Sequence, residues 1–362
     1  MSYLGVAYHC ISGAFAVCHR TLVFRKEVCF MKRILMIATG GTIASLDQGD
    51  GLSPAITSAQ LLSAVPEVSE ICEAEAMQLM NLDSTNMTPE CWLRIAEQIR
   101  LSYDAYDGFV VTHGTDTMAY TAAALSYLIQ KSPKPIVMTG SQKSIFLRDT
   151  DARQNVLDSF RYAVFPGAQG VSLVFDGKVI LGTRARKERT KSFNAFSSVD
   201  YPEIAVIRSG KVIPYLPGED CSEGPVFYSS VGGKILVLTL VPGMTPEVMH
   251  HCLPDYDALV LQSFGVGGLP ENDGGALADG LRAWVEAGKT VVVTTQVPYE
   301  GSDMKVYHVG QKIKKELNLI EAYSMTLEAV VTKLRWILAR TRDPKEVHRL
   351  FYIPVRHDII EA

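Results

Sequence analysis

The sequence predicts an α/β protein of two domains: a larger N-terminal domain with a mainly parallel sheet flanked by helices, and a smaller C-terminal parallel-sheet domain. Three observations support this fold class. Short apolar strands, polar loops and amphipathic helices alternate over residues 31–213. Residues 214–228, rich in Pro, Gly and acidic side chains, are typical of a linker between domains. The alternation resumes over residues 229–362.

The composition excludes several functional classes. Of the 362 residues, 47% are hydrophobic and 20% are charged, as in ordinary globular proteins, and the net charge is −4. Without a basic excess or a long apolar run, we expect neither nucleic acid nor a membrane as a partner. The seven cysteines are scattered and include no CxxC pair, which favours reduced thiols. Neither HExxH nor a carboxylate cluster is present, so we expect no metal and no other cofactor.

Residues 1–30 differ from the rest of the chain. They are fairly apolar but contain charged residues such as Arg25, Lys26 and Glu27, and they lack the basic start and cleavage site of a signal peptide. Met31 stands directly before the first apolar strand and looks like a natural start. We therefore expect residues 1–30 to be an extension outside the fold, and the protein to be cytoplasmic.

In the N-terminal half, apolar runs that end in polar residues predict strands, and a 3.6-residue periodicity predicts helices. Thr88 is expected to cap a helix that starts at Pro89. The Gly- and Asp-rich residues 46–54 predict a loop, and their position directly after the first strand makes this loop a candidate lid. The strands are expected at 34–38, 76–79, 109–113 and 136–139, and the other helices at 58–65, from 118 and at 151–163.

After Gly170 the pattern changes. The dipeptides Asp176-Gly177 and Ser209-Gly210, each between apolar runs, predict two hairpins. The C-terminal domain is expected to contain strands at 234–240, 258–264 and 290–295, a helix with Leu277, Leu281 and Trp284 on one face, and a helix over 327–338.

Polar residues follow the predicted parallel strands, where ligands bind in α/β sheets. They are Thr42, Asp83-Ser84-Thr85, Thr115-Asp116 and Thr139-Gly140-Ser141-Gln142. Hydroxyls and carboxylates among small residues suit a small polar substrate that accepts and donates hydrogen bonds. A dinucleotide is not expected, because neither GxGxxG nor a Walker loop follows any strand.

A hydroxyl nucleophile needs an activating group, since its own pKa is far too high. Residues 182–191 supply several cations, including Lys187, although their composition alone favours a solvated basic loop. His113 is either a base or, as is commoner at a strand end, a structural hydrogen-bonding residue. No GxSxG motif is present, which argues against a serine hydrolase of the α/β type.

Two segments, Thr39–Ser45 (TGGTIAS) and Val111–Met118 (VTHGTDTM), resemble the signature segments of the bacterial-type L-asparaginase family. Thr139–Gln142, the loop at Asp83 and Phe264–Gly267 follow at the family's spacing. The length and the lack of an export signal make the chain similar to the cytoplasmic type I enzymes. The resemblance implies hydrolysis of L-asparagine to L-aspartate and ammonia by a homodimer or homotetramer.

The same resemblance implies a role for each matched residue. Thr42 is the expected nucleophile, which forms an aspartyl ester. Thr115, Asp116 and Lys187 are expected to form the supporting triad. Ser84 is expected to hold the α-carboxylate of the substrate and Asp116 its ammonium, while Gly41 and main-chain amides near Thr115 form the oxyanion site. The expected substrate site comprises Gly41, Asp83, Ser84, Thr85, Gly114, Thr115, Asp116 and Ser141.

One departure from the family pattern concerns the activation of Thr42. Leu52 stands where the mobile loop of related enzymes usually carries a tyrosine that activates the first threonine. The activating group is therefore open: it is Lys187 acting through Thr115, or a residue from elsewhere. The preference between asparagine and glutamine is also open, because one methylene discriminates only modestly in a polar pocket.

Two further departures lie in the second domain. Gly268 stands where related enzymes often have an asparagine, which removes or replaces a polar contact with the site. Gln262 and Val297 stand nearest to the arginine and cysteine that bind allosteric asparagine in some type I enzymes. We therefore expect no such regulation.

Two other functions are weighed against the asparaginase. The amidase subunit of an archaeal-type glutamyl-tRNA amidotransferase shares the fold and both motifs, but it carries an extra folded N-terminal domain, for which thirty irregular residues are too few. An amino-acid-binding protein without catalytic activity is the other alternative, and Leu52 is its best support.

Overall fold

The computed structural model describes residues 31–47, 52–54, 56–270 and 274–360. The expected extension 1–30 and the middle of the expected loop, residues 48–51, lie outside the described residues.

The strands of the described residues were mostly expected from their apolar runs. In chain order they are β1 (Arg33–Gly40), β2 (Ser45–Asp47), β3 (Leu52–Pro54), β4 (Glu73–Leu82), β5 (Gly108–Thr112), β6 (Ile129–Gln130), β7 (Pro135–Thr139), β8 (Gly170–Phe175), β9 (Lys178–Leu181), β10 (Ala185–Lys187), β11 (Phe196–Ser198), β12 (Ala205–Arg208), β13 (Lys211–Pro214), β14 (Val226–Phe227), β15 (Ile235–Thr239), β16 (Ala258–Ser263), β17 (Thr290–Thr295) and β18 (Ile320–Glu321).

The helices bury the faces that the periodicity predicts. Leu277, Leu281 and Trp284, for example, are all buried. In chain order the helices are α1 (Ser58–Ser63), α2 (Pro89–Ser102), α3 (Met118–Leu128), α4 (Ala152–Val164), α5 (Glu247–Cys252), α6 (Ala276–Glu286), α7 (His308–Leu317), α8 (Leu327–Leu338) and α9 (Pro344–Phe351). Thr88 is the residue before α2, as expected, but its side chain makes no capping hydrogen bond. No helix among the described residues is long and apolar enough to cross a bilayer.

The fold class is confirmed by two separate sheets. The larger has the strand order β13-β12-β9-β8-β7-β5-β1-β4, in which β4, β1, β5, β7 and β8 run parallel. The smaller has the order β15-β16-β17-β18, with every neighbouring pair parallel. Both expected hairpins form at one edge of the larger sheet, as β8–β9 and β12–β13. Asp176, Gly177, Ser209 and Gly210 all have positive φ, as the turns of tight hairpins require.

The strand order of the larger sheet creates one crevice. Strand β1 lies between β4 and β5. The chain passes from β1 to β4 on one side, and β5 then follows on the other side of β1. The loops that follow β1 and β5 therefore leave the sheet where the strand order reverses. Ligands bind at this switch point in open parallel sheets.

Helix α3 holds the two sheets together. Its side chains are buried on nearly every face, because Leu125 packs in the core of the larger sheet while Ala123 and Tyr127 pack with residues of the smaller sheet and α8. A helix with no solvent-facing stripe is fixed on all sides. The residues immediately before α3, which include Thr115 and Asp116, are therefore attached to a helix that is held in place on all sides.

Two expectations about loops are wrong. Residues 46–54 were expected to be a loop throughout, but β2 and β3 pair as an antiparallel ribbon at its two ends. Residues 182–191, for which composition favours a solvated loop, contain β10, which pairs with β11. Ala185 and Phe196 of this ribbon are buried. The ribbon is therefore part of the packed structure.

Candidate active site

The loops after β1 and β5 touch through two glycines. A Cβ atom on Gly41 would lie only 2.4 Å from both the N and Cα atoms of Gly114, and Gly41 has a φ of +87°. The Gly41 N–H also donates to the carbonyl of Leu82, at the end of β4. Only glycine fits this combination of close approach and left-handed backbone. The contact brings the segment that begins with Thr42 against the segment that contains Thr115.

Thr42 is placed directly after this contact. It begins a short 3₁₀ turn, Thr42–Ala44, and its side chain is half-buried. Ile43 and Ala44 are buried and anchor the turn in the core. Thr42 is thus held at the switch point by two buried neighbours.

Lys187 joins Thr115 and Asp116 into one hydrogen-bonded group. Its ammonium donates to Thr115 Oγ1 over 2.8 Å and to Asp116 Oδ1 over 2.7 Å. Thr115 Oγ1 in turn donates to Gln142 Oε1 over 3.2 Å. Thr115 is buried, whereas 58% of the Asp116 side chain is exposed. A cation that donates to a buried hydroxyl favours partial negative charge on its oxygen, which is what a proton-transferring or nucleophilic hydroxyl needs.

The interpretation of residues 182–191 as a solvated basic loop is therefore wrong for Lys187. Its side chain is 14% exposed, and β10 directs it toward Thr115. Lys191, on the connection between β10 and β11, is exposed and fits that interpretation.

Ser84 lies on the other side of Gly114. It follows β4 and is buried, and a Cβ atom on Gly114 would lie 2.6 Å from Ser84 Oγ. Thr117 Oγ1 donates to the Ser84 carbonyl over 2.7 Å, which ties the two loops together. The side chain of Ser84 therefore reaches the same crevice as Gly114 and Thr115.

The other expected site residues have more local contacts. Asp83 Oδ1 accepts hydrogen bonds from the N–H and hydroxyl of Thr85, and both residues are exposed. Ser141 is buried, and its hydroxyl donates to the carbonyl of Lys143. The structure brings Asp83 and Thr85 to the edge of the crevice next to Ser84, but it turns the Ser141 hydroxyl to its own loop.

His113 is a structural residue of this site. Its Nδ1 lies 2.7 Å from the carbonyl of Gly114, and its Nε2 lies 2.9 Å from Thr121 Oγ1. Trp92 Nε1 donates to the same Thr121 hydroxyl, so that this hydroxyl is left to donate to the imidazole. Complete burial lowers the pKa of His113 to about 4, and the ring stays neutral. Of the two roles considered for His113, the contacts favour the structural one.

The sequence groups Gln142 with the polar residues that follow the parallel strands, but predicts no role for it. Besides accepting from Thr115, it donates through Nε2 to the carbonyls of Arg189 and Ser192, on the connection between β10 and β11. It thus links the ribbon that carries Lys187 to the buried hydroxyl. Its position directly beyond β7 was the only available signal.

The described residues contain no cluster of three or more His, Cys, Asp or Glu side chains that could hold a metal ion.

The structure also places three residues that depart from the expected pattern. Leu52 lies in β3, where its backbone pairs with Asp47. Gln262 accepts a hydrogen bond from Thr239, and Val297 is exposed.

Two family models match the chain. "Asparaginase, N-terminal" covers residues 33–217, and "Glutaminase/Asparaginase C-terminal domain" covers residues 234–351. Together they span well over half of the sequence. The chain belongs to the asparaginase family. It is accordingly an enzyme, an amidohydrolase.

Individual relatives are also similar to this chain over most of its length. The L-asparaginase of Thermococcus kodakarensis is 35% identical over 319 residues, which cover 88% of this chain and 96% of that protein. Its solved structure matches with a TM-score of 0.84 at 34% identity, over 91% of this chain and 100% of that one. L-asparaginase 1 of Escherichia coli K12 is 34% identical over 88% of this chain and 95% of its own length. A glutamyl-tRNA(Gln) amidotransferase subunit of Pyrococcus furiosus is 33% identical over 90% of this chain and 76% of its own length.

Proposed function

We propose that the protein is an L-asparaginase, which hydrolyses L-asparagine to L-aspartate and ammonia through an acyl-enzyme formed on Thr42. The contact of Lys187 with Thr115 and Asp116, beside the segment that presents Thr42, is the observation that carries this proposal. The similarity to proteins named L-asparaginase over almost their whole length supports the choice of substrate.

The reaction proceeds in two halves. Thr42 Oγ1 attacks the side-chain amide carbon of asparagine, the C–N bond breaks, and the nitrogen takes up a proton and leaves as ammonia. Water then attacks the aspartyl ester, the C–O bond to Thr42 breaks, and the threonine hydroxyl is restored. Main-chain amides near Thr115 stabilise the oxyanion in both halves. The Gly41 N–H, expected to contribute, is left out of this proposal because it donates to the carbonyl of Leu82.

Thr115 and Lys187 move and stabilise charge during these steps. The Lys187 ammonium keeps the Thr115 hydroxyl polarised, so that this hydroxyl can exchange protons with the amide nitrogen and with the attacking water. Of the two activating groups considered for Thr42, we assign the role to Lys187 acting through Thr115, since Leu52 has no titratable group. Gln142 fixes Thr115 while this happens.

The substrate is held by its α-substituents. The exposed carboxylate of Asp116 binds the α-ammonium, and Ser84 donates to the α-carboxylate, with Asp83 and Thr85 forming the rim. Gly114 lies between these groups and leaves room for the substrate, since a side chain there would collide with Ser84. Ser141 contributes its main chain only, because its hydroxyl is bonded to Lys143.

The wider arrangement belongs to the same proposal. Residues 31–213 form the catalytic domain, 214–228 the linker and 229–362 the second domain. The protein works in the cytoplasm as a homodimer or homotetramer, which size-exclusion chromatography with light scattering measures.

Ammonia release from the purified protein tests the reaction. We expect turnover of L-asparagine, slower turnover of L-glutamine, and loss of activity in Thr42→Ala by a factor of about 10³ or more, because the nucleophile is removed. Thr190→Ala, at an exposed threonine of the connection between β10 and β11, is the matched control and should keep wild-type activity. Full activity of Thr42→Ala would refute the nucleophile, and asparagine binding without turnover would refute the enzymatic assignment.

A second function is supported by one observation, the 33% identity to an amidotransferase subunit over 340 residues. In that case the isolated protein should fail to hydrolyse free asparagine. Ammonia release should then appear only when a tRNA-binding partner subunit and charged tRNA are added. Turnover of free asparagine by the protein alone decides for the asparaginase.

A further inference from the structure

A cavity of about 490 Å³ lies at the opposite edge of the larger sheet from Thr42 and Thr115. It borders Leu181, which pairs with Ser172 near the amino end of β8, whereas the candidate active site lies beyond the carboxyl ends of the parallel strands. Its size is that of pockets for small molecules. Most of its wall is apolar and includes Tyr162, Phe165, Leu181, Ile204, Pro214 and Leu216.

One end of the cavity is polar. The side chain of Arg356 is 8% exposed, and its guanidinium forms an ion pair of 2.8 Å with Glu219 and donates to the carbonyl of Gln169 over 3.2 Å. Arg356 Nε is buried and has no hydrogen-bond partner among the described residues. His357 Nε2 lies 3.4 Å from the same Glu219 carboxylate. A buried N–H without a partner is costly, so the present contacts leave the guanidinium of Arg356 incompletely satisfied.

The charges at this end define the ligand. Arg356 is positive and Glu219 is negative, and 35% of the Glu219 side chain is exposed at the cavity. A ligand with one charge would be attracted by one of the two side chains and repelled by the other. A zwitterion satisfies both, with its carboxylate toward the guanidinium of Arg356 and its ammonium toward Glu219. The apolar walls then require an apolar body, which is the chemistry of an α-amino acid with an aromatic or aliphatic side chain.

The same residues are bonded to the segment that carries Lys187. The carbonyl of Arg356 accepts from Thr183 Oγ1 over 2.7 Å, and the carbonyl of His357 accepts from Arg184 Nε over 2.5 Å. Arg184 is completely buried, and three residues after it Lys187 ends β10. Thr183 and Arg184 lead directly into β10, so these two hydrogen bonds are the route by which a shift of Arg356 and His357 would reach Lys187.

The backbone at the polar end is strained. Arg356 and His357 have φ values of 50° and 53°, in the left-handed region that residues other than glycine rarely adopt. Consecutive residues of this kind persist only when the surroundings hold them, and such strain is concentrated at ligand sites and switches.

We propose that this cavity is a second binding site, for an α-amino acid with an apolar side chain, and that its occupancy changes the position of Lys187. The binding is independent of the proposed asparaginase activity. The effect on turnover rests on that activity.

Calorimetry on the full chain with L-phenylalanine as the probe tests the binding. One molecule should bind per chain, and 3-phenylpropionate and 2-phenylethylamine, which each keep only one of its two charges, should bind at least tenfold more weakly. Arg356→Gln and Glu219→Gln should each weaken L-phenylalanine binding at least tenfold. Arg208→Gln, at an exposed arginine of β12 outside the cavity, should leave it unchanged. Absence of binding, equal binding of all three compounds, or wild-type binding by both cavity variants would overturn the proposal.

Turnover measures the coupling. Saturating L-phenylalanine should change the kcat or KM for asparagine at least twofold in the wild type and in Arg208→Gln, but not in Glu219→Gln, which keeps Arg356 and the bonds of its carbonyl. An unchanged kcat and KM in the wild type, with binding intact, would refute the coupling. Binding of L-phenylalanine by a protein without asparagine turnover would refute the proposed function and leave the second site standing.

Discussion

The Nζ atom of Lys187 lies 2.8 Å from the Oγ1 atom of Thr115, although the two residues are 72 positions apart in the chain. The ribbon of β10 and β11 makes this contact possible, because β10 packs against α3 and places Lys187 beside the residues that precede this helix. Gln142 fixes the arrangement from a third side by binding both Thr115 and the connection between β10 and β11. This hydrogen-bonded group is thus assembled from three separate stretches of chain.

Removing the cation of Lys187 should abolish most of the activity. We expect Lys187→Met to lower kcat for asparagine by a factor of about 10²–10⁴, since the Thr115 hydroxyl loses the group that polarises it. Steady-state ammonia release measures this loss, and circular dichroism checks that the variant is folded. Lys191→Met removes an exposed cation four positions away and should stay within threefold of wild type. Equal effects of the two substitutions would mean that Lys187 acts only through net charge.

Asp116 should determine the preference of the enzyme for an amino-acid amide over an amide without an ammonium group. Succinamate has the amide and carboxylate of asparagine but lacks the ammonium. We expect the wild type to prefer asparagine by about 10–100-fold in kcat/KM, as for one charge-assisted hydrogen bond, and Asp116→Asn to lose most of that preference. The ratio of the two substrates is the measurement, because any disturbance of Lys187 affects both alike. An unchanged ratio in Asp116→Asn would place the ammonium elsewhere.

The contact between Gly41 and Gly114 should tolerate no side chain. Gly41→Ala places a methyl group 2.4 Å from main-chain atoms in a left-handed backbone, and we expect it to cost about 3–5 kcal/mol in free energy of unfolding. Gly288→Ala is the matched control, because Gly288 also has positive φ but has nothing within 4 Å of its added Cβ. The control should lose about 1–2 kcal/mol in urea denaturation. Similar losses for both variants would show that the close approach contributes nothing.

His113 should make the protein less stable in acid. Burial lowers its pKa from 6.5 to about 4, so the unfolded state takes up a proton at a higher pH than the folded state. The stability from this residue is present above pH 6.5 and is lost as the pH falls from there toward 4. Between about pH 7.5 and about pH 5 the loss is about 2 kcal/mol.

Urea denaturation at the two pH values measures this effect of His113. In His113→Gln, the fall in free energy of unfolding between the two pH values should be smaller by about 2 kcal/mol, even though the variant is less stable overall. His308→Gln, at an exposed histidine of α7, should keep the wild-type pH dependence. An unchanged pH dependence in His113→Gln would mean that the imidazole is protonated alike in both states.

Local signals explain how much of the fold could be predicted. The apolar runs of β1, β5, β7 and β17 are fully buried, so they contain no alternation that could be mistaken for another element. The turns at Asp176-Gly177 and Ser209-Gly210 are determined by the residues themselves, which accept positive φ. The candidate site residues after β1 and β5 could be placed at one edge of the sheet from the sequence alone, because ligands bind at the carboxyl ends of parallel strands.

The remaining features depend on contacts between distant residues. Nothing near Lys187 in the sequence indicates that β10 is packed, since the buried partner, Phe196, lies on another strand. Gln142 is a residue type that is common in loops, and only the folded structure shows that it lies between Thr115 and the ribbon of β10 and β11. Arg356 is one of several basic residues near the end of the sequence, and its burial depends on Glu219 and Gln169.

The bonds from Thr183 and Arg184 to residues 173 positions later also bear on how the enzyme is made. Contacts between such distant residues close large loops and form late in folding. During synthesis, the sheet that presents Thr42 and Thr115 can be complete while the ribosome has yet to supply the residues that hold β10. Lys187 is therefore secured only after the larger sheet, and a nascent chain that already has this sheet is expected to be inactive until these contacts form.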